Sequence, residues 1–187
     1  MRTGEGELPQ RGIPVDDKIV GQGSMVALAY LCCYNLAEWQ YTGQSCELTG
    51  AHNMIEIEEM RQRFDNSPCA VHLGMSLVEL SSGYAKVKLE LKREFLNWEN
   101  MIHGGVIATL LDQAFGCACN TLENIHVAVQ MNIHFLAAAP VGETIYAESR
   151  VLHAGKRVGT SEMTVFDSQG KTIARATGTT VSMGPRS

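Results

Sequence analysis

The 187-residue sequence predicts an α+β fold, an antiparallel sheet of about five to six strands wrapped around one long central helix. Three observations predict it. An unbroken helical pattern of small and apolar residues runs from about Gly104 to Asn120. Strand-like stretches flank it, two before and four after. Short turns join them at Ser81-Ser-Gly83, Pro140-Val-Gly142, Gly155-Lys-Arg157 and Asp167-Ser-Gln-Gly170.

The elements follow in chain order. Residues 1–53 hold Gly/Pro/Gln-rich turns and no sustained alternation, and are expected to be an N-terminal extension, a candidate for poor order. One candidate short helix lies near Val26–Trp39. Met54 opens a helix-like segment, so the extension can also be read as lying upstream of the natural start. Residues 54–187 form the compact domain. A short acidic-then-basic helix at Ile55–Phe64 is expected to end at Asp65-Asn-Ser-Pro68. A first strand is expected over His72–Leu80, with Val71, Leu73, Met75 and Leu77 at period two. Tyr84–Leu91 alternates Ala85, Val87 and Leu89 with Lys86, Lys88 and Glu90, a half-buried strand with one wet face. After the long helix come strands at Val127–Leu136, Glu143–Ala154, Gly159–Asp167 and Thr172–Met183.

Composition narrows the function classes. With 45% hydrophobic and 19% charged residues the chain is globular, and a net charge of −5 gives no basic face for nucleic acid. The apolar run Met25–Cys33 is too short to span a membrane and follows Asp16-Asp17, which suits a signal peptide poorly. A cytoplasmic protein is expected. The six cysteines match neither a disulfide framework nor a zinc spacing, and read as free thiols.

The stretch Phe95–Asp112 carries the chemistry. It places Gly104-Gly105 where a helix begins and one carboxylate two turns later. A helix N-terminus offers free N–H groups and a positive dipole end, which suits an acyl oxygen that gains negative charge. On the helix, Ile107, Leu110, Leu111, Ala114 and Ala118 form a core stripe. Gly105, Thr109, Asp112 and Gly116 form a second stripe within roughly 60°. Asp112 thus sits on a floor cleared of bulk, where an acid is costly to desolvate without a partner or task. The plain alternative is an exposed helix acid beside two helix-weakening glycines. Together the features read as an acyl-transfer site.

Asn97, His103-Gly-Gly105, Thr109 and Asp112 resemble the motif of hotdog-fold acyl-CoA thioesterases of the phenylacetate-degradation (PaaI-like) type. The resemblance extends to Leu73–Glu79, Val127–Leu136 and the final two strands, and covers about residues 55–184. It implies a homodimer, or a dimer-of-dimers tetramer, with active sites at the dimer interface and acyl-CoA as substrate. It implies that the Gly104 N–H and Asn97 polarise the thioester, and that Asp112 of the opposite subunit activates water or attacks directly. Gly105 and Thr109 join the substrate-binding set. No cofactor or metal is implied, coenzyme A being part of the substrate. One position departs from the pattern: a Ser or Thr is often found near the place of Ala128, and Thr109 or Gln130 could substitute for it.

Other readings are weighed beside these. His103 suits a structural role before two glycines better than a general base. Asn100 competes with Asn97 but could serve only the turn. Lys156 and Arg157 make either a solvated hairpin or a contact to coenzyme A phosphates, for which cations are suited. Cys117 and Cys119 read as packing. His126 and His134 have no acidic neighbours at ligand spacing. Met75, Phe95, Trp98, Met101 and Phe115 could line an acyl pocket or be ordinary core. A hotdog dehydratase lacks support, since no His-Phe-Pro-Gly-like loop is present. A non-catalytic acyl-CoA-binding or sensing protein is the alternative to an enzyme.

Overall fold

A computed structural model describes residues 57–186. The extension at 1–53, its candidate helix and Cys32, Cys33 and Cys46 lie outside the described residues. The elements are α1 (Ile57–Asp65), α2 (Pro68–Leu73), β1 (Ser76–Ser81), β2 (Tyr84–Glu90), a 3-10 turn (Arg93–Phe95), α3 (Gly104–Cys119), β3 (Asn124–Phe135), β4 (Thr144–Ala154), β5 (Val158–Asp167) and β6 (Thr172–Pro185). The six strands form one sheet in the order β1-β2-β4-β5-β6-β3, with every neighbouring pair antiparallel.

The sheet wraps α3 as the sequence predicts. All five residues of the core stripe are buried, joined by Val106, Phe115, Cys117 and Cys119. α3 packs on β4 and β2, then on β5 and β3. Opposite it, Val87, Leu89, Ile145, Ala147, Met163 and Val165 point inward from alternate strand positions. On β2 the alternation is as expected, with Ala85, Val87 and Leu89 inside and Lys88 and Glu90 exposed. Phe115 fits because β6 presents Gly178 to it. A Cβ there would lie 2.5 Å from the ring.

The expected first strand needs correction. Residues 68–73 form a helix, and the strand starts only at Ser76. Pro68 occupies the first helical turn, where its missing N–H costs nothing. Gly74 ends the turn at φ 76, the left-handed cap that glycine reaches without strain, and its N–H bonds Val71 O at 3.1 Å. Val71, placed inward by the period-two reading, is 61% exposed on this helix. The apolar period was too short to separate a helical turn from a strand.

β3 is a long sheet edge. It pairs with β6 on one side and, among the described residues, with no strand on the other. Ladder register slips between Ala128 and Gln130, leaving Val129 as a bulge. Val127, Val129, Phe135 and Leu136 are all exposed. Among the described residues no helix is long and apolar enough to cross a membrane.

Candidate active site

The site starts at the entry to α3. His103 holds the N-cap position in extended backbone, φ −64 and ψ 129, and its ring accepts the Gly105 N–H. The bond is 2.8 Å to Nδ1. A Cβ on Gly105 would lie 2.9 Å from that nitrogen, so the cap requires a glycine. His103 is therefore a cap, as its structural reading holds. The Val106 N–H bonds His103 O at 2.9 Å. The Gly104 N–H has no partner among the described residues. It lies at the positive end of a 16-residue helix.

The turn before it is fixed by Asn97. Its side-chain oxygen accepts the N–H groups of Glu99 (2.9 Å) and Met101 (3.1 Å). Its backbone N–H donates to Met101 O at 2.8 Å. Asn100 supplies the left-handed residue of the same turn, φ 58, which asparagine tolerates. Both asparagines thus serve the turn. For Asn97, only the side-chain NH₂ remains for a ligand.

Gly104 opens onto a cavity of about 390 Å³ lined by Met101, Ile102, Ile107, Phe135, Leu136 and Ala137–Ala139. The Phe135 ring lies over the glycine, 3.3 Å from where a Cβ would stand. Of the five residues suggested for an acyl pocket, Met101 lines this cavity. Met75, Phe95 and Phe115 are core, and Trp98 is 87% exposed.

Asp112 opens onto a different cavity, of about 410 Å³. Its walls come from α1 (Met60, Arg63, Phe64), from α3 (Gln113, Gly116, Cys117), and from Ile125–Ala128 of β3. Nothing lies within 4 Å of a Cβ built on Gly116, so the second stripe is clear there, whereas at Gly105 the His103 ring fills the space. Thr109 spends its proton within the helix, donating to Gly105 O at 2.8 Å. Gln130 accepts from Thr179 at 3.4 Å. Ala128 lines the cavity without a hydroxyl. Cys117 is a buried thiol, pushed up to about 12 first by desolvation, then by the Asp112 charge and by Cys119. Cys69 and Cys119 are also buried.

The far end of this cavity is held by groups that sequence reasoning missed. Asn120 clasps His126, donating to its carbonyl at 2.9 Å and accepting its N–H at 3.0 Å. The His126 ring meets Thr180 at 3.0 Å. Burial, then the charge of Arg186, lowers its pKa. Arg186 donates to the Asn120 carbonyl. Asn120 and His126 are six residues apart, but Thr180 and Arg186 lie 54 and 66 positions from their partners, with no local pattern to join them. Among the described residues no group of three or more His, Cys, Asp or Glu could hold a metal ion.

Lys156 and Arg157 are exposed on the β4–β5 turn. Arg157 O accepts the N–H of Ser182, which pairs with His126 at the start of β3. Phe135, over Gly104, is nine residues further along β3, roughly 30 Å. Within one chain the basic turn and the Gly104 N–H therefore lie at opposite ends of the strand. The Asp112 cavity is on the Arg157 end.

A model of the thioesterase superfamily matches residues 99–174, from the turn before His103 into β6. Acyl-coenzyme A thioesterase PaaI of Escherichia coli K12 is 33% identical over 111 residues, spanning 59% of this chain and 79% of that protein. The solved structure of E. coli PaaI, from the phenylacetic acid degradation operon, matches with a TM-score of 0.64 and 29% identity. It covers 70% of this chain and 98% of that one. A Streptococcus mutans protein solved bound to acetyl CoA matches with a TM-score of 0.58 and 28% identity. It covers 60% of this chain and 91% of that one.

Proposed function

The chain belongs to the thioesterase superfamily, and on that premise we propose that it hydrolyses an acyl-coenzyme A thioester to a carboxylic acid and free coenzyme A. The observation that carries the reading is the unpartnered Gly104 N–H at the start of α3, with Asp112 on the same helix eight residues on. The first polarises a carbonyl; the second supplies a base or nucleophile.

One chain cannot bring the two groups to one carbonyl. Eight helical residues separate them by roughly 12 Å, and they open onto different cavities. Two copies can. The exposed β3 edge invites antiparallel pairing with itself across a two-fold axis. Such pairing runs one β3 against the other, so the Phe135 end of one copy meets the His126 end of its mate. The Gly104 cavity then adjoins the Asp112 cavity and the Lys156-Arg157 turn of the other copy. Each homodimer has two such sites, and a tetramer would repeat them.

The reaction follows from these placements. The thioester oxygen accepts the Gly104 N–H, with the Asn97 side-chain NH₂ as a second donor. Asp112 of the other copy takes a proton from a water whose oxygen attacks the carbonyl carbon. The carbonyl π pair moves onto oxygen, where the helix dipole and the N–H hold it. Collapse expels the coenzyme A sulfur, which takes the proton. Direct attack by the Asp112 carboxylate is the other route and would pass through a mixed anhydride. Lys156 and Arg157 lie where the phosphates of the coenzyme could be met.

Thiol release across short, long and aromatic acyl-CoA thioesters tests the reading. Turnover of at least one is expected. Saturable binding with no thiol released from any of them would instead leave an acyl-CoA-binding protein.

A further inference from the structure

The Asp112 cavity carries an arginine that hydrolysis does not use. Arg63 and Arg186 both line it. Arg63 already has a counterion, Glu59 Oε1 at 2.7 Å on exposed surface. Arg186 is held differently. Among the described residues, both of its hydrogen bonds leave from Nη2 and end on the carbonyl and side-chain oxygens of Asn120, which have no formal charge. Its Nε is sealed from solvent without a partner among the described residues. Neither bond uses Nη1. Burial and the like charge of Arg63 lower its pKa, and Glu59 offsets only part of this. A guanidinium stays protonated at neutral pH even so. A part-buried cation held by neutral oxygens binds an anion more strongly than a surface cation does.

The other cavity sharpens the contrast, because among the described residues no charged side chain lines it. The paired site would therefore join an apolar chamber to one in which Arg186 has, among the described residues, no carboxylate as a hydrogen-bond partner. We propose that Arg186 binds an anionic oxygen group of the thioester substrate, remote from the reacting carbonyl, and thereby selects substrates that carry one. This rests on the hydrolase reading above. Asn120, which holds Arg186, is eight residues beyond Asp112, roughly 12 Å along the helix. A carboxylate ending a medium-length acyl chain reaches that far. So does a phosphate of the coenzyme at the end of its pantetheine arm.

The test compares wild type with Arg186→Gln on three thioesters of equal acyl length: suberyl-CoA, octanoyl-CoA and octanoyl-pantetheine, which has no phosphate. If the acyl carboxylate is the group bound, kcat/KM falls at least tenfold for suberyl-CoA alone. If a phosphate is bound, it falls at least tenfold for both CoA thioesters, mainly through KM, and not for the pantetheine thioester. Arg186→Lys, which keeps the charge, recovers part of either loss. An equal loss on all three substrates, or no loss on any, overturns the proposal and leaves Arg186 as a clamp on Asn120. If wild type turns over none of the three, binding is measured in place of turnover. Titration calorimetry with the same thioesters then decides the matter, since Arg186→Gln must weaken binding of the charged ones only. A thermal melt of each variant separates these outcomes from misfolding.

Discussion

The Nδ1 of His103 accepts the backbone N–H of Gly105 at 2.8 Å, across two residues. This bond divides the labour between the two glycines. Gly105 is consumed by the cap, and its lack of a Cβ is what lets the imidazole close over the helix end. Gly104 lines the cavity, and its N–H has no partner among the described residues. The histidine thus orders the helix entry.

His103→Ala should therefore lose a cap, a cost of about 1 kcal/mol. Turnover should fall as the first turn of α3 frays. His103→Asn offers another side-chain acceptor and should restore most of both. Thermal melts and thiol release on the two variants check this. A general-base role predicts no rescue by asparagine.

Asp112→Asn removes the charge while keeping shape. Turnover should drop by roughly 10²–10⁴-fold, the range for losing a positioned acid or base. Melting temperature and oligomeric state should match wild type. Wild-type turnover in this variant would overturn the assignment. Single-turnover hydrolysis in ¹⁸O-labelled water separates the two routes, because only direct attack writes the label into Asp112.

Val129→Lys places a charge on the exposed β3 edge, where Val129 is 57% exposed at the bulge. Edge lysines oppose strand pairing. Light scattering should show the dimer dissociating, and turnover should fall with it, since each half-site then lacks its complement. A fully active monomer would refute the two-copy site.

Cys117 should resist alkylation at pH 8 in the folded protein, because its thiol is pushed up to about 12. The sign for stability follows. The folded state holds this proton more tightly than the unfolded chain, so stability is full below about pH 9 and declines as pH rises toward 12. Cys117→Ala should flatten that decline, at the cost of a small cavity change. Peptide-level mass spectrometry after alkylation and denaturant titrations at pH 8 and 10.5 measure the two effects.

Gly178→Ala drives a methyl into Phe115, whose ring atoms lie 2.5 and 2.6 Å from the Cβ position. Overpacking of this kind costs about 1–3 kcal/mol. Phe115→Leu, made in the same chain, should recover part of the loss. Additive destabilisation in the double variant would show that the two residues do not press on each other.

Local rules carried much of the fold. The 3.6-residue period of α3 placed Ile107, Leu110, Leu111, Ala114 and Ala118 in the core, and the alternation of β2 placed its two faces. They failed over Val71–Met75, where six residues of helix and a glycine cap imitate a strand in so short a window. The motif residues were legible because they sit within one short stretch, Asn97 to Asp112. The Asn120, His126, Thr180 and Arg186 framework was not legible, because the end of α3 and the start of β3 meet the C-terminal strand only after the sheet closes.

The sequence by itself determined that a helix begins at two glycines with an acid two turns on, since backbone N–H groups and helical spacing are local properties. Only the tertiary structure decided that, among the described residues, the first glycine keeps a free N–H and β3 an unpaired edge, and that Gly104 and Asp112 open onto separate cavities. Burial, cavities and sheet edges arise between distant segments, and no local spacing encodes them.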